Sequence, residues 1–327
     1  MCAIADSAQL PPPSDPRSVA ELGEFGLIAR ITEGRVLSPG TLLGPGDDAA
    51  VLTAADGRVV VTTDVLVEGV HFRLDWSTPH QVGRKAVAAN LADVVAMGAV
   101  PTALVVGLAV PGQTPVSTVD GLATGMWEEA GRVGAGIIGG DMVSSAEIVL
   151  SVTALGDLRG RAPVTRGGAR PGDVLAVCGR LGWSAAGLAV LRQGLRSPAA
   201  VVSAHQVPEP PYTAGPQAAA AGATAMIDIS DGLLADAEHL AEASGVAIDI
   251  DSAAVPVAEL VDVAAALGVD ARHWVLTGGE DHALLACFPA AALPAGWTRL
   301  GEVRTGAGVT VDGRPYEVLP GGWEHFA

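Results

Sequence analysis

Basic side chains are scarce in this 327-residue chain, in which 19 Lys and Arg residues stand against 36 Asp and Glu residues and the formal net charge is −17. A surface of this sign repels the phosphates of nucleic acids and of anionic membranes, and no local basic stripe offsets it. The composition therefore argues against a protein that binds nucleic acid or a membrane. If the ligand is a phosphate compound, a metal cation must mediate its binding.

Cysteine is scarce too, since Cys2, Cys178 and Cys287 lie far apart and form no CxxC pair. This usage favours reduced thiols over a disulfide framework or a zinc site. The N-terminus lacks the basic and apolar regions of a secretory signal. The longest apolar stretch, at 94–110, is broken by glycine and proline and does not resemble a membrane span. We therefore expect a cytoplasmic protein.

Familiar catalytic signatures are missing as well. The glycine-rich segments GPGDD and TGGED match neither the GxxxxGK[ST] phosphate loop nor a dinucleotide fingerprint in a βαβ context. The sequence contains no HExxH zinc motif and no GxSxG nucleophile elbow. Zinc hydrolases and serine hydrolases therefore have no support.

What the chain does contain is a series of acidic turns, most of them glycine-rich. They are GPGDD at 44–48, TTD at 62–64, NLAD at 90–93, GGD at 139–141 and DISDG at 228–232. Glycine lets the backbone turn sharply beside a ligand, and Asp supplies the hard oxygen ligands that Mg²⁺ prefers. Each turn alone is weak evidence, because Gly-Asp pairs are common turn formers. Together they indicate polyphosphate chemistry with oxygen-ligated Mg²⁺.

The length of the chain exceeds the size at which one hydrophobic core usually stops growing, so two domains are expected. A segment rich in Gly, Pro and Arg at 157–172 is the candidate junction. We predict a flexible tail over 1–22, an N-terminal domain over 23–160 and a C-terminal α/β domain over 161–327. The predicted class is α+β, with two domains.

Hydrophobic periodicity predicts alternating strands and helices on both sides of the junction. Strands are predicted at 58–67, 103–110, 136–141, 147–157, 173–179, 224–230 and 246–250. Helices are predicted from Thr78 to about Met97, at 117–135 and 184–192, from Asp231, and near 257–267. The strand at 136–141 is expected to end in a glycine turn, and 276–288 is expected to be a turn.

Four residues stand out from this pattern. The spacing of the first predicted helix places Asp93 on its apolar side, where a carboxylate is costly unless it is paired or bound to metal. Asp228 and Ser230 would end a strand next to a helix N-terminus, which favours anions, although an ordinary helix cap explains them equally well. His71 by itself is most simply a hydrogen-bonded histidine at a strand end.

Taken in order, seven segments resemble the thiamine-monophosphate kinase family of the aminoimidazole-ribonucleotide synthetase superfamily. They are GPGDDAA, VTTDVLVEGVHF, KAVAANLADVVAMGA, GIIGGD, VTRGGARPGD, MIDISDGL and LTGGEDHALL, and Val164 stands where the family usually has Leu. The similarity runs from about Gly23 to the C-terminus in unbroken order, which makes it far more specific than any one motif.

The resemblance implies a homodimer in which the N-terminal, ATP- and metal-binding domains join their sheets and a C-terminal α/β domain completes each active site. The implied reaction transfers the γ-phosphoryl group of ATP to thiamine monophosphate, giving thiamine diphosphate and ADP. Several Mg²⁺ ions would assist it, and no covalent nucleophile is needed, because phosphoryl transfer depends mainly on positioning and charge neutralisation.

The resemblance also implies site residues at the matching positions. The implied Mg²⁺ ligands are Asp48, Thr62, Thr63, Asp64, Asp93, Asp141, Asp228 and Asp231, with Asp47 only a neighbour. The implied ATP contacts are Gly140, Asp141, Arg166 and Ser230. The implied contacts with thiamine monophosphate are His71, Glu280 and Trp323, whose indole would stack on a thiamine ring.

Three alternatives stay open. A selenophosphate synthetase would use the same ATP scaffold, but its reactive Cys in an N-terminal glycine loop is missing here, because Cys2 lies in the predicted tail. A synthetase of the amidoligase type would form an iminophosphate on a ribonucleotide. A metal or nucleotide sensor without catalytic activity would keep the acidic turns and show no turnover.

Overall fold

Two β-sheets, one of four strands and one of six, organise the chain. The computed structural model describes residues 15–45 and 49–316, so the predicted site residues Asp48 and Trp323 lie outside the described part, as does Asp47. Within those two ranges, no helix is both long enough and apolar enough to cross a membrane.

The first half of the chain builds the four-stranded sheet and the helices packed on it. Its elements are α1 Val19–Leu22, α2 Glu24–Thr32, β1 Thr41–Leu43, β2 Val51–Leu52, β3 Val60–Val67, α3 Pro79–Ala96, β4 Val100–Val110, α4 Val116–Gly131, β5 Gly136–Ser144 and β6 Val149–Asp157. The strand order is β3-β6-β4-β5, in which β6 is antiparallel to both neighbours and β4 is parallel to β5. Strands β1 and β2 form a separate small ribbon.

The second half builds the six-stranded sheet. Its elements are β7 Asp173–Cys178, α5 Trp183–Arg192, α6 Ala199–Gln206, α7 Ala214–Ala221, β8 Ala225–Asp228, α8 Leu233–Ser244, β9 Ala247–Ile250, a 3₁₀ turn at Ala258–Leu260, α9 Val261–Leu267, α10 Ala271–Thr277, β10 Leu284–Pro289, β11 Thr298–Arg304 and β12 Gly308–Val311. The strand order is β12-β9-β11-β7-β10-β8, and only the β12–β9 pair is parallel. The predicted α+β class is confirmed.

Helix α3 begins where the sequence predicts. Thr78 is its N-cap, and its hydroxyl accepts a hydrogen bond from the Gln81 amide while the Gln81 side chain accepts one from the Thr78 amide. Pro79 follows in the first helical position, where its missing N–H does no harm. The prediction of a single apolar face was too narrow, because α3 packs on the four-stranded sheet, on α4 and on elements of the second half. It is therefore buried on nearly every side.

Two predictions about acidic turns are wrong. Strand β5 does not turn at its glycines but continues to Ser144, and Gly140 is needed because a Cβ there would stand 2.1 Å from the Val106 carbonyl oxygen. Helix α8 does not begin at Asp231 but at Leu233, after Gly232 at φ 114°. Glycine therefore serves close strand packing in the first case and a left-handed cap in the second.

Other differences are smaller. The expected turn at 276–288 contains the end of α10 and most of β10, and the alanine-rich helices α6 and α7 were not predicted. Part of the predicted tail is structured, since α1 at Val19–Leu22 has a complete capping box and the Val19 amide donates to the Thr114 carbonyl. The exact domain boundaries stay a prediction.

The contact between α3 and α4 depends on a reciprocal pair of glycines. A Cβ on Gly83 would stand 2.0 Å from the Leu122 carbonyl oxygen, and a Cβ on Gly125 would stand 2.0 Å from the His80 carbonyl oxygen. Real atoms cannot approach so closely, so any side chain at either position must push the two helices apart.

We predict that Gly83→Ala lowers the free energy of unfolding by about 1–3 kcal/mol or more, as overpacking in a tight core does. The matched control is Gly131→Ala at the exposed end of α4, where an added Cβ meets nothing within 4 Å. That control should be neutral or stabilising by up to about 1 kcal/mol, because alanine is the better helix former. Urea unfolding of both variants checks this, and equal effects would contradict the packing argument.

Candidate active site

A cavity of about 810 Å³ lies between the two halves of the chain. One side is formed by β3, by the connection at 69–77 and by α3. The other side is formed by α5, α6 and the segments at 230–231 and 277–282. Residues from both sheets thus meet around one space, the arrangement in which ligand sites usually occur.

The acidic end of this site combines carboxylates from both halves. Asp93 on α3 accepts a 2.7 Å hydrogen bond from the Thr62 hydroxyl of β3. The backbone amide of Asp64, on the same strand, donates to the Asn90 side chain, which is completely buried. Asp228 at the end of β8 is close enough for its charge to act on both Asp64 and Asp93. We refer to Asp64, Asp93 and Asp228 as the carboxylate cluster.

The carboxylate cluster carries an excess of negative charge. Burial, followed by the charges of Asp228 and Asp64, raises the pKa of Asp93 to about 7. Burial raises the pKa of Asp64 as well, and Asp228 adds to that effect. Such a group of oxygen donors is stabilised by a bound hard cation, which the donor set fits in charge and in chemistry.

Sequence reasoning missed His282, the partner of Asp228. Its Nδ1 lies 3.0 Å from Asp228 Oδ2, and both side chains are buried. Burial disfavours the charged imidazole, but the hydrogen bond and the negative charge of Asp228 outweigh it, so the pKa of His282 is raised. The signal that could have identified His282 is its position within the segment LTGGEDHALL.

A mixed-charge group lies at another part of the cavity and includes two predicted substrate contacts. The Lys85 ammonium donates to Glu280 Oε2 at 3.2 Å and to the His71 carbonyl at 3.1 Å. His205 Nδ1 lies 3.6 Å from the same Glu280 oxygen and 3.0 Å from the Ser184 hydroxyl. His71 Nδ1 accepts a hydrogen bond from the Val67 amide, which fixes its ring.

Lys85 and His205 were not predicted. Lys85 lies four residues before Ala89 and eight before Asp93, on the helical face that drew attention to Asp93, so the same periodicity contained it. His205 lies on α6, which the sequence did not reveal. Burial, with a contribution from Lys85, lowers the pKa of His205 to about 4, so its imidazole is neutral near pH 7.

Ser230 and Asp231 line the cavity, as expected for residues beside the phosphates. The amides of Asp231 and Gly232 both donate to Asp236 Oδ2 at 3.1 Å, which orients this turn. Ligand atoms of Asp231, Asp236 and His239 lie within 4.8 Å of one another. Thr63 lies on the cavity wall, but its hydroxyl donates to the Val152 carbonyl.

The chain by itself does not bring Gly140 and Asp141 to the cavity. They lie on β5, the edge strand opposite β3, so three strand spacings of about 4.8 Å separate them from Asp64. The register aligns Asp141 with Val65, one residue away from Asp64. Because successive residues of a strand point to opposite faces, Asp141 lies on the face away from the carboxylate cluster.

Arg166 is also outside the cavity wall. It is exposed, its carbonyl accepts a 3.0 Å hydrogen bond from the Ser244 hydroxyl, and the segment around it runs beside β8. Of the described residues predicted for the site, the structure brings the following to the cavity or the carboxylate cluster: Thr62, Thr63, Asp64, His71, Asp93, Asp228, Ser230, Asp231 and Glu280.

Comparison with known proteins defines the class first. The family model "AIR synthase related protein, N-terminal domain" matches residues 46–158, and the corresponding C-terminal domain model matches residues 170–313. The fold and the cavity between the two halves therefore belong to the AIR synthase related class.

Full-length relatives give the particular family. The thiamine-monophosphate kinase of Mycobacterium tuberculosis is 56% identical, covering 94% of this chain and 93% of the relative, and that of Corynebacterium glutamicum is 45% identical, covering 95% and 96%. The solved structure of AaThiL complexed with AMPPCP and TMP is 36% identical with a TM-score of 0.79, covering 94% of this chain and 98% of that one. The chain belongs to the thiamine-monophosphate kinase family.

We predict that Asp93→Asn makes the metal-free protein more stable at pH 8 and that this gain is clearly smaller at pH 5. A carboxyl group whose folded pKa of about 7 exceeds its unfolded value of 3.8 favours folding below pH 4, and that contribution is lost as the pH rises through 7. Asn has nearly the size of Asp and cannot ionise, so the variant should not lose stability in this way as the pH rises. The melting temperature at pH 8 should rise by a few degrees, since about 1 kcal/mol corresponds to about 2–4 °C in a domain of 150–250 residues.

Asp262→Asn on exposed helix α9 is the matched control and should show no such dependence on pH. Thermal unfolding of both variants in chelator, at pH 5 and at pH 8, checks this prediction. A lower melting temperature of Asp93→Asn at pH 8 would mean that Asp93 is a structural partner of Thr62 rather than a member of a repelling cluster.

Proposed function

We propose that this protein transfers the γ-phosphoryl group of ATP to thiamine monophosphate, producing thiamine diphosphate and ADP. The observation that carries the proposal is the cavity between the two halves, where Lys85 and Glu280 share the lining with Asp64 of the carboxylate cluster. Identity over nearly the whole chain with curated thiamine-monophosphate kinases supports it. A related structure, AaThiL complexed with AMPPCP and TMP, supports the same pair of ligands.

The carboxylate cluster is the proposed magnesium region. Asp64, Asp93 and Asp228 would hold Mg²⁺ together with Asp231 and the two threonines of β3. The pKa of Asp93, raised by burial and then by the charges of Asp228 and Asp64, supports this, because a bound cation would offset both causes. Bound Mg²⁺ would neutralise the charge of the ATP phosphates and of the acceptor phosphate. Asp48 keeps its predicted role as a further ligand in this proposal, whereas Asp141, on the opposite face of the sheet, would bind a metal only in the homodimer.

The protein's own groups position the reactants. Asn90 fixes the backbone of Asp64, Thr62 fixes the carboxylate of Asp93, and His282 fixes that of Asp228. These three hydrogen bonds hold the carboxylates in place before ligands bind. Such positioning is the main contribution that a protein makes to phosphoryl transfer. The acceptor phosphate is already an anion near pH 7, so no general base and no covalent nucleophile is required.

The separation of Gly140 and Asp141 from the cavity supports the proposed homodimer. The sheet face that carries Asp141 also carries apolar side chains, since Val61, Val65 and Val143 are 63%, 47% and 54% exposed. Exposed apolar residues in a row mark an interaction surface. A second copy of the chain packed against this face would cover the exposed valines. Asp141 would then face the surface of that second copy. The ATP contacts predicted for Gly140, Asp141 and Arg166 belong to this assembly in our proposal.

We predict that ATP and Mg²⁺ convert thiamine monophosphate, but not free thiamine, because the proposed metal region holds an acceptor that carries its own phosphate. Phosphorus NMR should show the paired resonances of a diphosphate ester together with ADP. Asp228→Asn should lower turnover by on the order of 100-fold or more, as the loss of a preorganised electrostatic group does. Better use of free thiamine, or an iminophosphate of a ribonucleotide as product, would overturn the assignment.

We also predict that EDTA abolishes ATP turnover and that Mg²⁺ or Mn²⁺ restores it. Ca²⁺ should restore it poorly, because that ion takes more ligands at longer and looser distances. Release of ADP is the measurement, and circular dichroism in EDTA is the control for folding. Full turnover in excess chelator would rule out the proposed role of the carboxylate cluster.

A further inference from the structure

Lys85 is the only lysine in the chain, and every other basic side chain is an arginine. Its residue is only 4% exposed and lies on α3, whose surroundings are otherwise mostly apolar. A buried ammonium is costly unless its charge is paired and its protons are hydrogen-bonded. The position of this one lysine therefore has to be explained by what its ammonium contacts.

The Lys85 ammonium joins three walls of the cavity. It extends from α3, donates at 3.1 Å to the carbonyl of His71 in the connection that follows β3, and donates at 3.2 Å to Glu280 Oε2 in the loop before β10. His71 and Glu280 are 209 residues apart in the sequence, yet the Lys85 side chain binds both. Lys85, His71 and Glu280 all line the same cavity.

Glu280 is held in an unusual conformation. Its φ is 63°, a left-handed value that a non-glycine residue rarely adopts, and its amide donates to the Ser230 carbonyl at 2.8 Å. Such a conformation persists only where the surroundings determine it, and it is common at ligand sites. Burial would raise the pKa of Glu280, but the charge of Lys85, its hydrogen bond and the neighbouring histidines together outweigh burial, so the pKa is lowered and the carboxylate stays ionised.

The geometry also explains a lysine rather than an arginine. An ammonium is a compact charge with three donors that can point to separate acceptors, whereas a guanidinium is a wide planar fork that suits one flat partner. Here the acceptors are a backbone carbonyl and a carboxylate on different segments. His205 beside them is neutral near pH 7, because burial lowers its pKa to about 4, so Lys85 is the cation that is hydrogen-bonded to Glu280.

We propose that Lys85 is a positioning and specificity-determining residue for the phosphoryl acceptor, fixing Glu280 and the His71 carbonyl as the wall against which the organic part of the acceptor binds. Eight residues of α3, or about 12 Å, separate Lys85 from Asp93 along the helix axis. One helix thus sets the spacing between the metal end and the organic end of the site. This inference rests on the proposed function.

Steady-state kinetics of Lys85→Met and Lys85→Arg test the inference. Lys85→Met should raise KM for thiamine monophosphate by about 30-fold or more, since it leaves a partly buried carboxylate unpaired, and should change KM for ATP little. Lys85→Arg keeps the charge but not the geometry and should recover part of the loss. Equal increases in both KM values, or unchanged KM for thiamine monophosphate in Lys85→Met, would overturn the proposal.

A double-mutant cycle separates the Lys85–Glu280 contact from a general loss of packing. Because each substitution removes the same pair, Lys85→Met combined with Glu280→Gln should be little worse than either alone. The matched control is the ion pair of Arg299 and Glu302, whose atoms lie 2.6 Å apart and whose side chains are half exposed. Arg299→Met should leave both KM values unchanged. Additive effects in the Lys85–Glu280 cycle would contradict the proposal.

The single lysine also allows a measurement on the unaltered protein, which does not depend on a variant that folds. Protein labelled with ¹³C at lysine Cε gives one lysine signal, and that signal should shift when thiamine monophosphate is added but not when Mg²⁺-ATP is added. A shift with Mg²⁺-ATP alone would refute the inference. If the unaltered protein does not phosphorylate thiamine monophosphate, the proposed function fails, whereas an active protein with a silent lysine signal refutes the role of Lys85 alone.

Discussion

The burial of α3 is the constraint on which the rest of the structure depends. This helix packs on the four-stranded sheet and on α4, and its other side faces elements of the six-stranded half. It nevertheless carries three polar side chains that face the interior: Lys85 and Asn90 are buried, and Asp93 is partly buried. Because a buried polar group is destabilising without a partner, each one fixes a residue elsewhere: Glu280, Asp64 and Thr62. Folding of the helix interface and assembly of the site are therefore the same event.

The two ends of the site differ in charge in a way that suits their proposed ligands. At the carboxylate cluster, burial and then neighbouring negative charge raise the pKa of Asp93, and a bound cation would relieve that repulsion. At Lys85 opposite charges are paired, because the ammonium forms a salt bridge with Glu280 and His205 is neutral. Polyphosphate with its cations fits the first end, and an organic ring system fits the second. The strongly acidic composition of the whole chain is consistent with this division, since the phosphates would reach the site with metal ions.

The glycines of this chain have a broader function than the formation of turns. At Gly140 a strand passes so close to its neighbour that no side chain fits, and at Gly83 and Gly125 two helices do the same. The left-handed conformation near the site is instead carried partly by residues with side chains, Glu280 and His282. Strain at those two positions is compensated by the Lys85 and Asp228 contacts. Local sequence therefore understated both the packing role of glycine and the conformational demands of the site.

The sequence by itself determined the seven strands β3 to β9, the start of α3 at Thr78 and the acidic residues at the ends of buried segments, because periodicity and capping are local properties. It also identified Asp64, Asp93 and Asp228 as members of one set and the family to which they belong. Only the tertiary structure decided which of the candidates meet. The order β3-β6-β4-β5 sends Asp141 to the far edge and opposite face, while Lys85 reaches Glu280 across 195 residues. Strand register and the packing of distant segments determine which residues meet, and neither can be predicted from a short segment of sequence.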